Sequence, residues 1–561
     1  MKTTRREFIK KASFGTTALA VPCLMTFSCM KKTRPNIIFI MSDDHAEQAI
    51  SCYGSKLIKT PGIDRIAKEG IRFENSFVTN SICGPSRATL LTGKYGHLSG
   101  LKHHGHTFDG SQVTFPKLLQ EAGYQTAIVG KWHLKSDPTG FDTWNILKGQ
   151  GQYYNPTFNE NGVEHKYTGY TTDIVTDKAF ETIKAMDRTK PFCLLLHHKA
   201  PHRNWMPDLK HLDTYKDVDL PLPETFYDDY KGRPAAAAAD MRIDNMFLSF
   251  DLKLQKEFYG KETGTGGKAV FAERVDQIWK DNYDRLTPEQ KAGWDAHYDK
   301  VNQEFKALNL SGDELLRWKY QHYVKDYLRC ILSLDENIGR TLDYLDEYGL
   351  AENTIVVYTS DQGFYLGEHG WYDKRFMYEE SLSMPLVMRY PKEIQAKQVS
   401  NKLVMNLDFS ATFLDYAEVE IPAEMQGISL RSIVRGREPE DWRESIYYHY
   451  YDNPNGWHNV GGHCGVRTER YKLLHFYNEE NWELFDLKED PREMNNVYSD
   501  PNYTGVLKEM KQELDRLIKL YGDDIETAKA DYQKAIADRE ARQKERAEAA
   551  AKQNAETTPE K

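Results

Sequence analysis

Short, nearly continuous apolar runs recur along the chain, each closed by polar residues. The first is Pro35-Asn36-Ile37-Ile38-Phe39-Ile40-Met41, ended by Ser42-Asp43-Asp44-His45. Runs of the same kind stand at Thr126-Ala127-Ile128-Val129, Phe192-Cys193-Leu194-Leu195-Leu196 and Thr354-Ile355-Val356-Val357-Tyr358. A run without polar alternation predicts a strand covered on both faces, as in a parallel sheet held between helix layers. Helical stretches separate the runs. Thr60-Pro61 is expected to cap and start a helix reaching Gly70, and a second helix runs from Phe115 to Gly123. Between Leu315 and Tyr348, the residues Leu316, Tyr320, Tyr323, Tyr327, Ile331, Leu334, Ile338 and Leu342 repeat at helical spacing, which predicts one long helix with a buried stripe. The predicted class is α/β, with ligand groups gathered where strands end at their carboxyl side.

The pattern changes twice. From about 228 to 311 it becomes polar, Ala-rich and helical, reading as an insertion that shapes the mouth of a pocket. From Glu444 it becomes a meander, with strands at Ile446-Tyr447-Tyr448-His449-Tyr450, Gly465-Val466-Arg467, Tyr471-Lys472-Leu473-Leu474 and Trp482-Glu483-Leu484-Phe485. These predict a small antiparallel subdomain closed by a helix over Val506 to Tyr521. Ala528 to Lys561 is rich in Ala, Glu, Lys and Arg, and reads as a solvated helix or a disordered tail. The expected organisation is a leader over 1–30, a main domain over 33–440, a C-terminal subdomain over 441–525 and a charged tail over 526–561.

A chain of 561 residues has room for one large domain and a smaller one. Its net charge of −10 argues against nucleic acid as a partner, so an anionic substrate needs a local cationic pocket. The seven cysteines (Cys23, Cys29, Cys52, Cys83, Cys193, Cys330 and Cys464) lack paired or zinc-like spacing, which argues against a disulfide framework. Lys2, Arg5, Arg6, Lys10 and Lys11 precede an interrupted apolar stretch, Ala12 to Phe27, too short to span a membrane. Thr4-Arg5-Arg6-Glu7-Phe8-Ile9-Lys10 looks like a bacterial twin-arginine export signal, with an ordinary signal peptide as the alternative. Cys29, before Cys23, is the candidate for lipidation. The expectation is a protein exported to the bacterial periplasm or lipid-anchored to an outer membrane, with no other membrane contact.

Chemistry concentrates at the predicted strand and helix ends. Cys83-Gly84-Pro85-Ser86-Arg87, after a β-rich run ending in Asn80-Ser81-Ile82, places a cysteine at a helix start, where amides and Arg87 favour anionic chemistry. Asp43, Asp44 and Ser360-Asp361-Gln362-Gly363 bring three carboxylates and an amide oxygen together. That all-oxygen set suits Ca²⁺ or Mg²⁺ and is poor for zinc. In Gly130-Lys131-Trp132-His133-Leu134, Lys131 and His133 would share one side of an extended segment. His197-His198-Lys199-Ala200-Pro201-His202 follows the next strand, and Lys374 lies in Asp373-Lys374-Arg375.

The run from Cys83 through Ala88-Thr89-Leu90-Leu91-Thr92-Gly93 resembles the signature of the type I sulfatases, and the resemblance extends from Pro35 to about Tyr521. It implies an alkaline-phosphatase-like sandwich in which Cys83 is oxidised to formylglycine by a maturation enzyme. It implies Asp43, Asp44, Asp361 and Gln362 as ligands of calcium, ahead of magnesium, with modified Cys83 completing the shell; Gln362 stands where many relatives carry Asn or His. It further implies that Lys131 holds the formylglycine, His133 receives its proton, His202 is the general acid and Lys374 binds sulfate. Arg87, one helical turn from Cys83, joins this catalytic set.

Three stretches resemble N-acetylglucosamine-6-sulfatases more than the family at large: Ser86 to Tyr95, Tyr153-Tyr154-Asn155 before Asn161-Gly162, and Asp373-Lys374-Arg375 before Tyr378-Glu379. They imply a 6-O-sulfated glucosamine in a glycosaminoglycan of the heparan sulfate kind, so a sulfated oligosaccharide as substrate. Trp457, His458, His463 and Arg467 are the expected sugar contacts. The alternatives are a sulfatase for galactose, N-acetylgalactosamine or uronic acid sulfates, a phosphate or phosphonate ester hydrolase, and a non-catalytic glycan-binding relative.

Overall fold

The predicted strands assemble around β1 (Asn36–Ser42), whose neighbours on both sides run parallel to it. The computed structural model describes residues 34–260, 269–437, 439–451 and 458–556. The leader and Trp457 lie outside these residues. In chain order the large sheet continues with β2 (Ile71–Phe73), β3 (Gln125–Lys131), β4 (Thr143–Leu147), β5 (Thr157–Glu160), β6 (Val163–Lys166) and β7 (Phe192–His197). It is completed by β8 (Thr354–Ser360), β9 (Leu386–Arg389) and β10 (Gln398–Ser400). Across the sheet the order is β10-β2-β9-β8-β1-β7-β3-β4-β5-β6. The four central strands β8, β1, β7 and β3 are mutually parallel, so their carboxyl ends share one edge.

Alternation within β1 explains its unbroken apolar run. Ile37, Phe39 and Met41 enter one core, and Ile38 and Ile40 enter the other. With both faces covered by helices, neither set of alternate positions can be polar. The first core receives α2 (Cys83–Thr92), α3 (Phe115–Glu121) and α8 (Asp408–Tyr416), where Phe39 packs on Phe409 and Phe413. The second receives α1 (Pro61–Glu69), α4 (Thr171–Ala185) and the long α7 (Gly312–Glu347). The predicted α7 stripe is buried from Tyr320 to Leu342, while Leu316 is only half-buried.

Between β7 and α7 lie the longer helices α5 (Ala269–Asp284) and α6 (Pro288–Leu308). The small sheet is an antiparallel meander of β11 (Ser445–Tyr450), β12 (His463–Thr468), β13 (Tyr471–Phe476) and β14 (Asn481–Asp486), covered by α9 (Thr504–Tyr521). The charged tail forms a helix, α10 (Ile525–Glu556). Among the described residues no helix is long and apolar enough to cross a membrane.

Two local expectations change. Thr60 makes no side-chain cap to α1. The buried Asp335 of α7 accepts from Gly62 N at 2.9 Å and Ile63 N at 2.8 Å, so the orphan amides are served by a neighbouring helix. The stretch before Cys83 is strand only at Ser76–Phe77; residues 79–82 are irregular, tied down by bonds such as Thr79 N to Asn406 Oδ1 and Ser81 N to the Tyr448 hydroxyl.

Candidate active site

The shared strand edge collects the chemistry. Just past β1, Asp44 adopts a left-handed backbone (φ 67°), a conformation an Asp tolerates better than most residues. Its amide donates to Asp361 Oδ1 at 3.2 Å, and its carbonyl accepts from the Tyr327 hydroxyl of α7 at 2.7 Å. This turn brings the carboxylates of Asp43, Asp44 and Asp361 within 4.8 Å of one another, all fully buried. Gln362 donates to Asp44 Oδ1 and lies 3.8 Å from Cys83 Sγ through its Nε2.

Three cations balance the three carboxylates. Arg87 grips Asp361 Oδ2 with Nε at 3.1 Å and Nη2 at 2.9 Å, and its Nη1 donates to the Lys131 carbonyl at 3.0 Å. Lys374 Nζ bonds both oxygens of Asp44 at 2.6 Å. Lys131 Nζ contacts Asp43 Oδ2 and donates to Gln150 Oε1 at 2.6 Å. Burial raises Asp44 to about 6 against the pull of Lys374, and raises Asp361 to about 7 with the help of the Asp43 and Asp44 charges. Burial also penalises charge on Asp43, but Lys131, His202 and Arg87 outweigh it and hold that carboxyl well below the usual range. Asp43 is the anchor anion of a set that titrates as one.

Asp43 Oδ1 and Gln362 Oε1 are buried acceptors without a hydrogen-bond partner, beside the carboxylates of Asp44 and Asp361. Uncommitted hard oxygens of this kind fit a divalent cation. Such an ion would bring a site of balanced charge to +2, the sign an anionic substrate requires.

Cys83 opens α2 and is buried. Its expected activation as a thiolate does not occur. Burial, and then the Asp43 charge, push the thiol up, and Arg87 is turned onto Asp361 instead.

The predicted extension carrying Lys131 and His133 also breaks, because β3 ends at Lys131 and His133 has φ 58°. Both residues still reach the site. His133 Nδ1 is buried without a partner, and a ring nitrogen of His133 lies within 4.8 Å of Cys83 Sγ. His202 Nδ1 bonds the Arg203 carbonyl at 2.5 Å; a carbonyl only accepts, so Nδ1 carries the proton and Nε2 faces Asp44 Oδ2 at 3.7 Å. Burial first, and the nearby lysines second, hold both imidazoles well below their usual range, although Asp43 pulls the other way.

These groups line a cavity of about 580 Å³, the size of a sugar-binding site. Its wall includes Cys83, His104, His133, Gln150, Lys199, His202, Arg203, Lys374, Arg375 and His458, with Phe250, Ile278 and Asn282 supplied by the stretch before α6. His458 Nε2 meets Asp373 Oδ2 at 2.9 Å and its Nδ1 bonds the Asp240 carbonyl at 2.8 Å. Two expected sugar contacts lie elsewhere. His463 is packed among Phe376, Tyr448, Tyr450 and Phe476, and Arg467 pairs with Glu379 at 3.0 and 3.1 Å over the Phe77 ring; neither lines the cavity.

Sequence reasoning passed over His104, Gln150, Lys199, Asp373 and Arg375. The dense His103-His104-Gly105-His106 run was an available signal for the first, and the charges flanking Lys374 for the last two. Gln150 had none, since it comes from a loop after β4.

A family model for sulfatases matches residues 35–419, and one for the C-terminal part of N-sulphoglucosamine sulphohydrolase matches residues 367–520. An N-acetylglucosamine-6-O-sulfatase of Bacteroides thetaiotaomicron is 48% identical over 529 residues, covering 92% of each chain. The human N-acetylglucosamine-6-sulfatase is 26% identical, covering 76% of this chain and 69% of its own. A solved structure of a protein in complex with its substrate D-glucosamine-2-N,6-O-disulfate superposes with a TM-score of 0.83 at 49% identity, covering 88% of this chain and 99% of that one.

Proposed function

The chain belongs to the sulfatase family, and from that premise we propose that it hydrolyses the 6-O-sulfate of N-acetyl- or N-sulfo-glucosamine in heparan-type glycosaminoglycans. The similarity to the Bacteroides thetaiotaomicron enzyme and to the disulfated-glucosamine complex supports that substrate. The observation that carries the reading is the cavity itself: Cys83, His133, His202 and Lys374 line it, Lys131 bonds Gln150 of its wall, and the oxygen cluster lies at adjoining strand ends.

On this reading Cys83 is converted to formylglycine, whose hydrate supplies one hydroxyl to attack sulfur and a second to expel sulfate afterwards. A buried thiol pushed upward in pKa is a poor nucleophile, which supports the need for conversion. Asp43, Asp44, Asp361 and Gln362 would hold calcium, which when bound would supply Lewis-acid stabilisation of negative charge on the sulfuryl group. Lys131 and Lys374 offset the negative charge that develops there. His202 Nε2 protonates the departing sugar oxygen; burial holds this imidazole well below its usual range even with the pull of Asp43, so it is the arriving sulfate anion that favours its protonated state. His133 accepts the proton released when sulfate leaves. Arg87 opposes the protonation of Asp361 and holds its carboxyl in place. His458, Asp373 and Arg375, which line the same cavity, would hold sugar hydroxyls.

The partners of this reading are a sulfated oligosaccharide and a formylglycine-generating enzyme, and the place of action is the periplasm or a lipid-anchored position on the outer membrane. Desulfation of defined glucosamines carrying sulfate at the 2-N, 3-O or 6-O position tests it. Release from 6-O alone is expected. Preference for another sulfated sugar, or faster turnover of an aryl phosphate than of an aryl sulfate, would overturn it.

A further inference from the structure

The cavity holds a second donor set, free of oxygen. Cys83 Sγ and one ring nitrogen each of His104 and His133 lie within 4.8 Å of one another. We propose that the chain carrying Cys83 as an unmodified thiol binds a zinc ion at Cys83, His104 and His133, with the fourth position open to the cavity. One thiolate and two imidazoles are a donor set zinc prefers and calcium refuses, whereas the carboxylates behind them have the opposite taste.

The local geometry favours this ligation. The two imidazole rings stand 4.8 Å apart between centroids at 40°, so neither blocks the other from a shared ion. His133 Nδ1 is a buried polar atom with no hydrogen-bond partner. His104 Nδ1 presses against the first turn of α2: a Cβ on Gly84 would stand 3.3 Å from it. The nearest lysines do not occupy the space, because Lys131 and Lys374 are turned onto Asp43 and Asp44. Tetrahedral zinc, with Zn–S of about 2.3 Å and Zn–N of about 2.0–2.1 Å, places its donors about 3.5 Å apart. Closing from a separation of at most 4.8 Å takes a shift of no more than about 1 Å by side chains that border open space. Binding forms one Zn–S bond and two Zn–N bonds, and the Cys83 thiol proton leaves to solvent.

The consequence is a metal preference that changes with maturation. As a thiol, position 83 completes a soft site; as an aldehyde hydrate it can serve only the hard oxygen cluster, and the soft site is lost. Zinc also ties up the Cys83 thiol, so a zinc-loaded chain is blocked from conversion to formylglycine. Only that last consequence rests on the proposed reaction; the site itself does not.

The test uses protein made without its maturation enzyme, with the Cys83 thiol verified by peptide mass and calcium held in excess, titrated with Co²⁺ and then Zn²⁺. A single Co²⁺ should bind with a thiolate-to-metal charge-transfer band and tetrahedral visible bands, all bleached by Zn²⁺. Cys83→Ser should remove the charge-transfer band. His104→Ala and the better-filling His104→Gln, like His133→Ala, should each weaken binding at least about 10- to 100-fold, since loss of even an outer partner costs that much. Co²⁺ bound without the thiolate band, a band indifferent to both histidines, or the same band in aldehyde-bearing protein would overturn the proposal.

Discussion

Arg87 is the clearest place to separate the worth of an ion pair from the cost of breaking it. Arg87→Met would remove two charge-assisted hydrogen bonds to Asp361 Oδ2, at 3.1 and 2.9 Å, and one to the Lys131 carbonyl at 3.0 Å. Both partners are almost fully buried, so Asp361 would be stranded where water cannot reach it. Breaking one side of a buried pair costs about 3–5 kcal/mol, here the lost hydrogen bonds together with the penalty of protonating a carboxyl that would otherwise be left charged without a partner. Asp361 already stands at about 7 with Arg87 present; without it the carboxyl rises further and is neutral at pH 7. The variant should therefore lose divalent-cation affinity as well as stability. Adding Asp361→Asn to Arg87→Met removes the carboxyl that must take up a proton on folding, so the double variant should recover about 2–3 kcal/mol relative to the single one. Urea unfolding followed by tryptophan fluorescence measures it, with a midpoint shift of about 1 M for the single variant if m is at least about 3 kcal/mol/M. A double variant no more stable than Arg87→Met, or a single variant costing under about 1 kcal/mol, would refute the argument.

Two further outcomes follow from the same edge of the sheet. Lys199, pulled down to about 8 by burial and by Lys131, is protonated in the unfolded chain up to about 10.5. The native state thus binds fewer protons between those values, and stability rises with pH across that window; Lys199→Met should stabilise the protein at pH 7 by up to about 3 kcal/mol, an advantage gone near pH 10.5. Urea midpoints across that range check it, and a pH-independent difference would contradict it. Gly130 has φ 105°, and a Cβ there would sit 1.9 Å from the His197 carbonyl oxygen of β7. Gly130→Ala should cost about 3 kcal/mol or more and displace Lys131 at the strand end, lowering kcat with the stability; an unaltered midpoint would count against that close approach.

The sheet was legible in the chain because its strands are short apolar runs closed by turn residues, and burial on both faces leaves no polar position to blur them. The small meander was legible as successive short runs rich in Tyr, Val, Leu and Phe separated by polar stretches, and α7 as a stripe at helical spacing. The donor residues Asp43, Asp44, Asp361, Lys131, His202 and Lys374 could be named from the sequence because each follows a strand or carries a motif.

What only the tertiary structure decided is who meets whom. Arg87 faces Asp361 across 274 residues of sequence, and Asp335 caps a helix 272 residues before it; no local pattern encodes either pairing. His463 and Arg467 looked like cavity residues because of their chemistry, yet strand register turned them into a ring cluster and an ion pair. His104 and Gln150 entered the site from loops without periodicity. Residue type and spacing determine which elements form, since those depend on near neighbours. Charge, burial and pKa depend on the total field in a closed site, which exists only once the strand ends have been brought together.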